Sequence, residues 1–120
     1  MRHAAQAYGK VAAQTSSPRE LEADLLLKAA AGLQAVSDAW DADRDRIDEA
    51  LLYNRKLWSV FLTSVTRQDN PLPQLVRQNV ANLGLFVMNQ TLSLMAEPRR
   101  EKLVPLININ REIAAGLLGR

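Results

Sequence analysis

The chain has 120 residues, 48% of them hydrophobic and 23% charged, with 15 basic and 13 acidic side chains for a formal net charge of +2. A chain of this size exposes about 6,500 Å² when folded against roughly 19,000 Å² unfolded, enough burial for one core, and its composition is not that of a disordered segment. With no cysteine and one histidine, His3, disulfide scaffolds, cysteine zinc sites and histidine metal centres are excluded.

The first segment, residues 4–14, is Ala-rich, with Tyr8 and Val11 as its larger apolar groups. A helix this short is marginal alone, so it is expected as an arm that orders only by docking. The N-terminal run lacks the apolar stretch of a secretory signal, and no stretch approaches the ~20 apolar residues of a membrane span. A cytoplasmic location is the expectation.

Ser17-Pro18-Arg19-Glu20 marks a helix start. Ser17 suits the N-cap, Pro18 the first helical position and Glu20 the capping box. Leu21, Leu25, Ala29, Leu33, Val36 and Trp40 follow at helical spacing as the expected buried stripe, ending near Asp41. A second helix is expected over 45–67, with Ile47, Leu51, Asn54, Trp58, Phe61 and Val65 inward. Asp69-Asn70-Pro71-Leu72-Pro73 breaks it, because residues preceding proline avoid the helical region. A third helix is expected over 72–96 through Val76, Leu83, Val87 and Leu94, broken by Glu97-Pro98. A fourth begins near Val104 and carries Leu106, Ile109, Ile113 and Leu117. Three helices of roughly 22–25 residues, each about 35 Å long, plus a shorter one, joined by short connections, predict a single-domain, all-α antiparallel bundle over 17–118, with 1–16 as its arm.

Catalytic chemistry finds little support. Asp41-Ala42-Asp43-Arg44-Asp45 imitates a calcium loop, but Arg46 and Leu52 stand where that loop needs glycine and a bidentate glutamate. Ser16 and Ser17 read as caps without a base to activate them. The five glycines are scattered, so there is no phosphate-binding loop, and neither an enzyme nor a cofactor is expected. Arg55-Lys56 and Arg99-Arg100 with Lys102 are the basic clusters. Trp58 and Phe61 fall on the buried stripe instead of beside them, which argues against direct RNA binding.

The unusual feature is amides on apolar helices: Asn54, then Asn79, Asn82, Asn89 and Gln90, then Asn108 and Asn110. Buried amides need partners. Two roles stand open, fixing the bundle's register or lining a groove for an incoming helix. Gly84, inside a helix, suggests a close helix approach, within the bundle or by a partner helix, and Met88 and Met95 are expected in the core, with adaptable groove lining as the alternative.

Several stretches carry a family resemblance. Ser17-Pro-Arg-Glu-Leu-Glu-Ala-Asp-Leu-Leu-Leu-Lys-Ala-Ala, Tyr53-Asn-Arg-Lys-Leu-Trp, Leu62-Thr-Ser-Val, Asn70-Pro-Leu-Pro, Asn82-Leu-Gly-Leu-Phe-Val-Met and Ile107-Asn-Ile-Asn-Arg-Glu-Ile-Ala-Ala-Gly resemble the FlaF family of flagellar biosynthesis regulators. That resemblance implies a cytoplasmic helical protein acting positively on flagellin production, alongside the antagonistic regulator FlbT, which is linked to flagellin messenger RNA. Ala7-Tyr8 followed by Thr15-Ser-Ser-Pro-Arg-Glu-Leu21 is similar to the start of the FliS flagellin export chaperones, whose bundle holds flagellin's terminal helix. It casts Tyr8 either as a plug over a groove or as an ordinary arm residue.

Three functions follow as expectations: a module that holds flagellin and promotes its synthesis or secretion, a regulator acting on flagellin message, or an adaptor occupying FlbT. Flagellin is the leading partner, and the expected contact residues are Tyr8, Trp58, Leu62, Leu83, Phe86 and Asn89.

Overall fold

A computed structural model describes residues 17–42 and 44–119. It contains four helices: α1 (Pro18–Asp38), α2 (Ile47–Thr66), α3 (Gln74–Ala96) and α4 (Leu103–Leu117). Single 3₁₀ turns, Arg44–Arg46 and Arg100–Lys102, lead into α2 and α4. The described residues include no strand, and none of their helices is long and apolar enough to cross a membrane. The expected arm at residues 4–14 lies outside the described residues.

Helix boundaries follow local chemistry. The Glu20 amide donates to Ser17 Oγ at 3.2 Å, and Pro18 opens α1 where no amide hydrogen is needed. Helices α2 and α3 lack basic residues in their last turns, and the following element supplies the cation instead. Arg77 from α3 donates to the Val65 and Arg67 carbonyls at 2.8 and 2.7 Å, closing the end of α2. Lys102 donates to Ser93 Oγ and the Glu97 carbonyl, each at 3.0 Å, closing α3. These cations satisfy carbonyls left over at a helix end and lie where the helix dipole favours positive charge.

The helices pack unequally. α1 lies broadly against α4 and also against α2; α2 packs on α3; α3 touches α4 only narrowly. Pairings of residues 51–55 with 91–95, of Leu62 with Gly84 and of Val65 with Arg77 set α2 and α3 antiparallel. The core is built from Ala23, Leu26, Ala30, Leu33 and Val36 of α1, Ile47, Leu51 and Trp58 of α2, Val87 and Leu94 of α3, and Leu103, Leu106, Ile107 and Ala114 of α4. In α1 the buried line runs through Ala23, Leu26 and Ala30; the expected Leu21 and Leu25 are half-buried at its edge. The cause is the partner: small alanines let α4 approach closely, and Leu26 fills the space beside them. Val76, expected inward, stands 41% exposed near the start of α3.

Candidate docking face on the third helix

Two environments divide the amides. At the centre, the Trp58 indole N–H donates to Asn110 Oδ1 at 2.9 Å, and Asn110 Nδ2 donates to Asn54 Oδ1 at 2.6 Å. All three side chains are wholly buried, and Trp58 also meets Phe61 edge to face at 5.6 Å. Asn54 Nδ2 has no hydrogen-bond partner. This relay ties α2 to α4, which otherwise touch little, and it sets their register: sliding either helix by one residue would leave buried polar groups unpaired, each costing about 1–3 kcal/mol. Asn54 and Asn110 therefore take the register role.

The amides of α3 lie elsewhere. Asn79, Asn82 and Asn89 are exposed, and Gln78 donates to Asn82 at 3.0 Å. Gln90 is half-buried and donates to the Lys102 carbonyl at 3.0 Å, tying α3 to the start of α4. Around them α3 is apolar on nearly every side. Leu75 is 71% exposed, Leu85 and Leu92 58%, Met95 55% and Phe86 43%. With about 100° between successive residues, Leu85, Met88, Leu92 and Met95 fall along one edge of the outward face, Gln78, Asn82 and Asn89 along its middle, and Leu75 and Phe86 along the other edge. The first edge continues onto α2, where Leu52 is 49% exposed. There a shallow cleft of about 250 Å³ opens between Asp48, Leu51, Leu52, Arg55, Thr91 and Met95.

This face exists because α3 approaches α2 closely and has, among the described residues, no comparable neighbour on its other side. Leu62 occupies the space above Gly84; a β-carbon placed on Gly84 would lie 2.7 Å from Leu62 Cγ. The expected close approach at Gly84 is thus filled from within the bundle.

A second concavity, about 270 Å³, lies between α1 and α2 over Ala29, Gly32, Ala35, Val36 and Ala50, with Arg46, Glu49, Lys28 and Tyr53 at its rim. The Lys28 ammonium sits 5.5 Å from the Tyr53 ring centroid, a cation–π contact. Among the described residues no three His, Cys, Asp or Glu side chains converge as metal ligands.

The expected contact residues separate. Phe86 and Asn89 lie on the outward face of α3. Trp58 is corrected: it is 0% exposed and belongs to the central relay. Leu62 and Leu83 are half-buried, the first against Gly84 and the second against the core. Tyr8 lies outside the described residues. Met95, expected in the core, faces out, while Met88 is half-buried against it. The residues missed are Leu52, Leu85, Leu92 and Met95. Their signal was present as steps of three, four and three along Leu85, Met88, Leu92 and Met95, the spacing of a helix-pairing seam.

A family model described as flagellar protein FlaF matches residues 4–117. No curated protein and no solved structure matches the chain.

Proposed function

The chain belongs to the FlaF family of flagellar proteins, and from that premise we propose that it is a non-enzymatic helical carrier that takes up flagellin on the outward face of α3 and so promotes flagellin synthesis and secretion. The observation that carries this reading is the imbalance at α3: a helix with one charged residue, one broad neighbour among the described residues and five large apolar side chains at 43–71% exposure. Clustered exposed apolar side chains beside polar groups are a usual mark of a docking site, and here two apolar edges flank a strip of amides. An amphipathic helix laid along α3 would bury Phe86 and its apolar neighbours, while Asn82 and Asn89 offer both donors and acceptors to its polar flank. Among the residues of α3 only Arg77 is charged, and it is engaged at the end of α2, so the attraction is apolar, not ionic.

Calorimetric titration with monomeric flagellin at low and high salt tests the proposal. Micromolar or tighter binding with a negative heat-capacity change, little altered by salt, supports an apolar docking face. Binding that collapses steeply with salt points to an ionic partner surface. No heat at either salt removes flagellin as a direct ligand and leaves FlbT as the protein to titrate next.

A further inference from the structure

We infer that two copies of this chain pair through α3, each laying the seam of Ala81, Leu85, Met88, Leu92 and Met95, with Leu52 beside it, against the same seam of the other about a two-fold axis. The inference does not rest on flagellin being the other occupant of this face. Along the seam the steps alternate four, three, four and three residues, the repeat by which one helix receives the side chains of another as knobs in holes. Ala81 and Met88 are half-buried and form its floor; Leu85, Leu92 and Met95 stand out from it at 58, 58 and 55% exposure. Half-buried and exposed residues therefore alternate from Ala81 to Leu92 along one line, and the leucines of one copy meet the lower floor of the other.

Three features favour a second copy over a charged partner. First, α3 contains a single charged residue, Arg77, and its guanidinium is spent on the Val65 and Arg67 carbonyls. No like charges confront each other when the seam meets itself. Second, the α3 flank is made of Gln78, Asn82 and Asn89. An amide both donates and accepts, so a row of amides is complementary to its own two-fold image, as a self-paired surface must be. Third, on the other flank Asp48 and Arg55 beside Leu52 are of opposite sign, which leaves that edge without net charge.

Area sets the strength. Leu52, Leu85, Leu92 and Met95 present roughly 400 Å² of apolar side chain per copy, so a two-fold contact covers about 800 Å² before its polar rim is counted, below the ~1,200–2,000 Å² of a stable interface. The dimer is accordingly weak and concentration-dependent. Such pairing shields the seam at high concentration and opens it on dilution or when another helix competes.

Sedimentation velocity on the full chain, from about 1 to 200 µM, tests this. The weight-average mass should climb from that of the 13.4 kDa monomer towards twice that value. Leu85→Glu and Leu92→Glu should each remain monomeric at the highest concentration with unchanged helical circular dichroism. Should either charge impair folding, Leu85→Gln and Leu92→Gln carry the same test with smaller shifts. Val60→Glu, on the outward side of α2 at 65% exposure, should leave the dimer intact. A single monomeric species throughout would overturn the inference. So would a dimer that survives the Leu85/Leu92 double variant, or growth beyond two copies, which a two-fold seam does not permit.

Discussion

Trp58 on α2 and Phe86 on α3 are both aromatic residues embedded in apolar helical runs, yet the first is wholly buried and the second is 43% exposed. Their own helices differ less than their surroundings. α2 has α1 on one flank and α3 on the other, and it reaches α4 through the Trp58–Asn110–Asn54 relay. Among the described residues, α3 has α2 alone as a broad neighbour. An apolar residue at helical spacing thus becomes core where a third helix closes over it and stays exposed where none of the described helices does. The amides follow the same rule: at the centre they are tied to one another, and on α3 most of them face water.

The contrast can be broken most severely at the centre. Trp58→Ala should cost about 3–5 kcal/mol for the lost ring alone, and it also strips Asn110 Oδ1 of its donor; urea unfolding should show a chain destabilised to the point of partial unfolding. Asn110→Leu keeps the volume but leaves the Trp58 N–H and Asn54 Oδ1 unpaired, an expected loss of about 2–4 kcal/mol by the same measurement. An unchanged midpoint would show that the relay does not hold α2 to α4. Gly84→Ala drives a β-carbon into Leu62 and should cost about 1–3 kcal/mol. Adding Leu62→Ala should recover part of that loss, and strict additivity of the two changes would rule out the contact as its cause. At the open face the scale falls away. Phe86→Ala should shift stability by less than about 0.5 kcal/mol while weakening flagellin uptake roughly tenfold or more, an anchor-residue effect. A normal titration with the Phe86 variant would move the flagellin contact off that edge of α3.

Much of the architecture was legible from local chemistry. Ser17 and Pro18 marked the start of α1, the paired prolines at 71 and 73 separated α2 from α3, and the stripe from Ile47 to Val65 named most of the buried residues of α2. The proposed docking face was legible only in part. Of the expected contact residues, Phe86 and Asn89 stand exposed on α3; Trp58, on an equally regular stripe, was not distinguishable from them before the helices were assembled. Leu85, Leu92 and Met95 carried seam spacing, but spacing says that a stripe pairs with something and not whether that partner lies in the same chain.

Helix count, helix limits and the inward side of α2 are set by the sequence itself, because caps, prolines and a 3.6-residue period act within a few residues of one another. Which helix stands at the outside, which amides meet in the core and which leucines are left for a partner are decided by tertiary structure. Those outcomes depend on contacts between residues far apart in the chain, such as Trp58 with Asn110 and Leu62 with Gly84. The open side of α3 among the described residues is likewise a property of the assembled bundle, since hydrophobic burial is decided by what covers a side chain and not by the side chain alone.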